Sequence, residues 1–132
     1  MSELSIRPIG VRDIVAIVDD DDAARDALEF LLKVLGRRPR AFSSSAAFLE
    51  EKADNFGCLL LDQHMPGMTG LELAKHLRSG NNAIPIMLIT GALTADIRIR
   101  AYAIGIDEVC EKPPESGMIV NFVERSLVSR SA

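Results

Sequence analysis

Three leucines in an unbroken run, Leu59-Leu60-Leu61, lead directly into Asp62, and Pro66-Gly67 follow a few residues later. A strand with one wet face alternates apolar and polar residues. This run does not, so residues 58–62 read as a strand covered on both faces, as in a parallel sheet flanked by helices. Pro66 and Gly67 end the strand and turn the chain. Asp62 therefore falls at the carboxyl end of a buried strand, the edge where open α/β sheets place their ligands. A carboxylate there is costly unless something positive faces it.

The rest of the chain repeats one theme. Residues 14–18 are apolar and β-rich and form a first strand, followed by four consecutive aspartates, Asp19 to Asp22. Ala24, Ala27, Leu28, Leu31, Leu32 and Leu35 then make one helical stripe, closed by Gly36. Residues 38–42 fit a short second strand despite Pro39, and Ser43 to Ser45 offer an N-cap for a short helix carrying Ala47 and Phe48. After the central strand, residues 70–78 predict a helix with Leu71, Ala74 and Leu77 inward, and residues 79–82 a turn. Residues 84–89 predict a strand ending at Thr90-Gly91. A helix starting at Thr94 or Asp96 carries Ile97, Ala101 and Ile104 and ends at Gly105. Residues 108–111 predict a fifth strand, followed by Lys112-Pro113-Pro114. The last helix carries Ile119, Phe122, Val123 and Leu127. Strand followed by helix, five times over, specifies an α/β chain with a parallel sheet and right-handed crossovers. Residues 1–12 read as an N-terminal arm and residues 13–130 as one domain.

Composition narrows the function classes. The formal net charge is −4 and no basic stripe is present, so direct nucleic-acid binding has little support. No apolar run approaches the roughly 20 residues of a membrane span, and residues 1–10 hold no signal core, so a cytoplasmic protein is expected. Cys58 and Cys110 fall on strands placed two apart, roughly 9–10 Å, too far for a disulfide. They read as small core residues of a protein in a reducing compartment.

Polar residues collect at the strand ends. Asp19 and Asp20 follow the first strand, Asp62 ends the third, Thr90 ends the fourth and Lys112 follows the fifth. In a parallel sheet these ends share one edge. Three carboxylates so close repel one another, and a divalent cation together with Lys112 relieves the repulsion. An all-oxygen set of two or three carboxylates suits Mg²⁺.

Ile17-Val18-Asp19-Asp20, Leu61-Asp62 with Met65-Pro66-Gly67-Met68-Thr69-Gly70-Leu71-Glu72-Leu73, Thr90-Gly91 and Lys112-Pro113 together resemble the receiver domain of two-component response regulators. The resemblance covers residues 13–130, nearly the whole chain. It implies a flavodoxin-like fold, a doubly wound sheet of five parallel strands in the order 2-1-3-4-5. It also implies a signalling switch rather than an enzyme, with autophosphorylation from small donors and slow autodephosphorylation as its only turnover. Asp62 would take a phosphoryl group from a sensor histidine kinase or a histidine phosphotransfer protein. Asp20, Asp62 and the backbone carbonyl of His64 would hold Mg²⁺, with Asp19 acting through a bound water. Thr90 and Lys112 would bind phosphoryl oxygens. His64 and Ala92 occupy the positions that tune phosphoryl lifetime in the family. The face made by the fourth helix, fifth strand and fifth helix would carry the readout and admit a homodimer.

One position departs from the family. Receivers often carry an aromatic residue three places before the lysine, and this chain has Val109 there. A valine has no ring to swing, which keeps open a non-switching interaction module as the alternative function. With the ring gone, the signal is expected to run through Thr90 and the helix of residues 94–104, where Tyr102 is an exposed aromatic. A phosphatase with an aspartate nucleophile is disfavoured, because the second acid such enzymes carry two residues on is here His64. Asp21 and Asp22 read as first-turn acids of a helix, His76 as a residue on a solvated face, and the methionines as core filler.

Overall fold

A computed structural model describes residues 13–131 of the 132-residue chain. In chain order the elements are β1 (Ile14–Val18), α1 (Asp22–Val34), β2 (Arg38–Phe42), α2 (Ser45–Leu49), a 3₁₀ turn (Ala53–Asn55), β3 (Cys58–Asp62), α3 (Gly70–Ser79), β4 (Ile86–Thr90), α4 (Ala95–Ile104), β5 (Glu108–Glu111) and α5 (Ser116–Ser131). The arm expected over residues 1–12 lies outside the described residues. All strand pairs are parallel, and the sheet order is β2-β1-β3-β4-β5, as the resemblance implies.

The side-chain period of two explains the leucine run. Leu59 and Leu61 join Ala16, Val18, Ile86 and Leu88 in a core roofed by α2, α3 and α4. Leu60 joins Val15, Ile17, Met87 and Ile89 on the opposite face, under Leu28 and Leu32 of α1 and Phe122 and Val123 of α5. Both faces of β3 are thus dry, and each buried leucine contributes about 1.5–3 kcal/mol. Cys58 and Cys110 are buried and not disulfide-bonded, on strands separated by β4.

Caps set the helix ends. The Asp21 carboxylate accepts from the Ala24 N–H, and α1 stops where Gly36 takes φ +77°. Thr69 and Glu72 close a reciprocal capping box at the start of α3. Thr94 caps α4, and Gly105 ends it in the left-handed region.

Two expectations change. The fourth strand begins at Ile86 instead of Ile84, because the Ile84 N–H is taken by the Asn82 side chain and Pro85 has no N–H to give. The stripe of α1 is narrower than its apolar residues suggest: Leu28 and Leu32 are buried, but Ala27 is exposed. Pro39 is accommodated because β2 is an edge strand, where a missing ladder donor is tolerated.

Candidate functional site

The strand order delivers the acidic residues to one place. β1 and β3 are neighbours, with Val18 paired to Leu61, so Asp19 and Asp62 emerge side by side at the carboxyl edge. Carboxylate oxygens of Asp19, Asp20 and Asp62 lie within 4.8 Å of one another; Asp19 and Asp62 are buried and Asp20 is exposed. Lys112 follows β5 and reaches back across β4. Its Nζ stands 3.3 Å from Asp19 Oδ2, as a hydrogen bond, and 2.9 Å from Asp62 Oδ1. The second contact has ion-pair distance without hydrogen-bond alignment. Asp62 Oδ1 is therefore a buried oxygen with no aligned donor among the described residues.

One ammonium does not balance three carboxylates. Burial pushes the Asp62 carboxyl above its ordinary range; Lys112 pulls it back, and Asp19 and Asp20 push it up again. Burial alone would lower the Lys112 ammonium, but its pairing with Asp62 and Asp19 outweighs that and holds it above its usual value. An under-satisfied oxygen within an all-oxygen acid cluster fits a hard divalent cation such as Mg²⁺, and fits no thiolate- or imidazole-seeking metal.

Thr90 ends β4 fully buried, and its Oγ1 accepts from the Ala92 N–H at 3.3 Å. His64 lies just past β3 and is exposed, as is Ala92 in the loop after β4. Val109 is 4% exposed and packs in the core beneath α4, while Tyr102 on α4 is 46% exposed. His76 is exposed, as the sequence predicts.

Several residues around the cluster escaped the sequence reading. Gln63 is buried beside Asp62, and its Oε1 accepts from the Leu71 N–H at 2.8 Å, while its carbonyl accepts from Gly70 N at 3.1 Å. These bonds seat α3 directly behind Asp62. Ser45 Oγ donates to the Met68 carbonyl and steadies the same loop from α2. Arg25 donates to the Asp19 carbonyl. Only the start of α3 left a readable trace, the Thr69-x-x-Glu72 spacing of a capping box.

Beside the cluster, α1 and α5 leave a groove of about 850 Å³, lined by Phe30, Leu31, Val34, Pro114 and Ile119, with Asp19 and Lys112 at its polar end. Phe30 and Val34 are 70% and 66% exposed.

Residues 15–124 match the family described as the response regulator receiver domain. The chain belongs to that family. Among curated relatives of this receiver, the transcriptional regulatory protein FixJ of Bradyrhizobium diazoefficiens is 32% identical over 114 residues, covering 86% of this chain and 56% of that protein. The response regulator protein TmoT of Ectopseudomonas mendocina is 37% identical over 101 residues, covering 76% of this chain and 46% of that protein. This receiver spans about half the length of the curated relatives it matches. The crystal structure of FixJ-N superposes with a TM-score of 0.78 at 33% identity, covering 87% of this chain and 93% of that one. A CheY-like receiver from Methanospirillum hungatei, at 21% identity and TM-score 0.81, shares the fold. Receivers are switches of two-component signalling, and phospho-aspartate and Mg²⁺ are features of the family. No described helix is long and apolar enough to cross a membrane.

Proposed function

We propose that this receiver, folded from residues 13–130, accepts a phosphoryl group on Asp62 from a phosphohistidine of a sensor histidine kinase or histidine phosphotransfer protein. The observation that carries the proposal is the buried Asp62 Oδ1 without an aligned donor, 2.9 Å from the Lys112 ammonium and beside two further carboxylates. A partly desolvated carboxylate oxygen at a strand end, ion-paired but without an aligned donor, is a nucleophile awaiting an electrophile.

In the transfer, an Asp62 oxygen attacks phosphorus while the P–N bond breaks. The electron pair stays on the imidazole, which leaves neutral because its other ring nitrogen carries a proton. Asp20, Asp62 and the His64 carbonyl would hold Mg²⁺, with Asp19 acting through a water, and the cation would offset charge on the transferring oxygens. Lys112 moves its pairing from the Asp62 carboxylate to a phosphoryl oxygen. The Thr90 hydroxyl donates to another phosphoryl oxygen, which draws the Ala92 loop inward. His64 and Ala92 flank the path of water to the acyl phosphate and so tune its lifetime.

The readout face is that of α4, β5 and α5, which also admits a homodimer, with Tyr102 exposed on it. The apolar groove between α1 and α5 opens beside Asp19 and Lys112, where a donor protein must approach. The second reading, a non-switching interaction module, draws on Val109, which is buried and has no ring to reorient.

Beryllofluoride with Mg²⁺ tests the proposal. Wild-type amide resonances and self-association should respond only when both are present, and Asp62→Asn should abolish the response. A wild type that ignores the mixture defeats the phosphoacceptor reading. Binding without any change at α4 or in self-association would select the non-switching module.

A further inference from the structure

We propose that Arg25 is a positioning residue for the acid cluster. By holding the peptide that joins Asp19 to Asp20, it aims the Asp20 carboxylate and so sets the affinity of the site for a divalent cation. The inference rests on the reading of Asp19, Asp20 and Asp62 as a Mg²⁺ site.

The sheet stops just short of the acid pair. The β1–β3 ladder ends at Val18 and Leu61, one residue short of Asp19. The Asp19 N–H still reaches the Phe42 carbonyl on the β2 side, at 3.1 Å. The Asp19 carbonyl belongs to a residue only 3% exposed, so losing its donor would leave a buried acceptor unmatched. Arg25 Nη1 supplies that donor at 2.7 Å. A charged donor at that distance makes one of the stronger hydrogen bonds a carbonyl receives.

That carbonyl is half of the Asp19–Asp20 peptide plane. A planar peptide with its oxygen fixed has also fixed the position of the next Cα. The next residue is Asp20, whose exposed carboxylate is the cluster member least constrained by packing. The Asp19 side chain, by contrast, is tied to the Asp21 N–H at 2.9 Å and to Lys112.

Arg25 is itself well placed to hold still. It sits in the first turns of α1, its side chain is 17% exposed, and its Nη2 pairs with Asp22 on the same helix. Asp22 is 87% exposed, and such a surface pair adds little by itself. The carbonyl contact is the one that links helix to cluster. The guanidinium's charge works the other way, since a cation near the site repels Mg²⁺. Geometry and charge therefore predict opposite outcomes for removal of the side chain.

The test is Mg²⁺ titration of the intact chain by calorimetry, for wild type, Arg25→Ala, Arg25→Met and Arg25→Lys, with unfolding midpoints measured in EDTA. Positioning predicts about a tenfold loss of Mg²⁺ affinity in Arg25→Ala, at the low end for residues that orient metal ligands. It predicts substantial recovery in Arg25→Lys, which keeps the charge and a donor long enough to reach back. The Asp20 and Asp21 amide resonances should move in Arg25→Ala even without metal. Unchanged or tighter binding by a folded Arg25→Ala would overturn the inference. If Arg25→Ala does not fold, Arg25→Met decides, because it keeps the aliphatic stem and loses the donor to the Asp19 carbonyl: about a tenfold weaker affinity with moved Asp20 resonances supports positioning, and wild-type-like affinity overturns it. A wild type blind to Mg²⁺ defeats the metal reading and this inference with it, whereas a binding wild type with an indifferent Arg25→Ala defeats this inference alone.

Discussion

A Cβ built on Gly70 would stand 2.5 Å from the carbonyl oxygen of Asp62. It would also meet Leu88 Cδ1 at 2.8 Å and the Cα of Gln63 at 3.0 Å. Two of these three neighbours are backbone of the Asp62–Gln63 segment, and backbone cannot rotate away. Gly70→Ala must therefore lift α3 off the sheet. It should destabilise by about 1–3 kcal/mol in urea unfolding, the usual cost of overpacking. It should also perturb the Asp62 and Gln63 amide resonances more than those of distant strands.

Gln63 supports the same junction from inside. Gln63→Leu keeps the volume roughly constant but removes the acceptor of the Leu71 N–H, a buried bond of 2.8 Å. Stability should fall by about 1–3 kcal/mol, the cost of an unmatched buried donor. Gln63→Glu should lose much less, because a carboxylate can still accept at the start of α3.

Asp62→Asn tests the electrostatics of the cluster. Folding raises the Asp62 carboxyl above its ordinary value, chiefly by burial. The ionised form is thus penalised in the folded state at neutral pH, and the penalty fades as pH falls through the raised value toward the unfolded one. Without divalent cations, Asp62→Asn should be more stable than wild type at pH 7, by roughly a few degrees in thermal midpoint. The two proteins should converge as the solution is acidified below the ordinary carboxylate range.

Removal of Lys112 has the opposite sign. Its ammonium is held above the usual value by Asp62 and Asp19 against the effect of burial. Its contribution is complete below the ordinary lysine range and is lost as pH rises through the elevated value. Lys112→Met should lower stability at pH 7 by less than the roughly 3–5 kcal/mol of a fully buried pair, since the side chain is 32% exposed. The gap to wild type should narrow at strongly alkaline pH.

Glu111 holds the loop after β4 from the other side, its Oε2 accepting from the Leu93 N–H at 3.2 Å. The bond is exposed, so Glu111→Ala should cost no more than about 0.5–1.5 kcal/mol globally. It should instead speed hydrogen exchange at Leu93, with little change in β4 itself. Equal exchange rates in the two proteins would show that the loop is held by other contacts.

The sequence carried the parts of this molecule that follow from periodicity and punctuation. Leu59 to Leu61 announced a strand dry on both faces, and both faces are packed. Asp19, Asp62 and Thr90 are legible as strand ends because an apolar run stops just before or at each, whereas Lys112 follows a fifth strand, Glu108 to Glu111, whose pattern is weak. What stayed hidden depends on side-chain reach across distant turns. Nothing in Asp22-Ala23-Ala24-Arg25 says that an arginine bends back to the Asp19 carbonyl, and nothing beside Asp62 says that Gln63 turns inward to hold the start of α3. The start of β4 is hidden for a related reason: Ile84 is as apolar as a strand residue, but its N–H belongs to Asn82. The buried strands are written in residue type, whereas the destination of a particular N–H is settled by the fold.

Pro39, set between exposed Arg38 and Arg40 on the outermost strand, has a consequence for behaviour in crowded solution. An incoming chain seeking to extend the sheet there would find one rung without a hydrogen to share and two guanidinium groups at the approach. Arg40 is further occupied by Glu51. Growth of the sheet beyond β2 is discouraged, so a folded molecule at high concentration is protected against fibre-like stacking along that border.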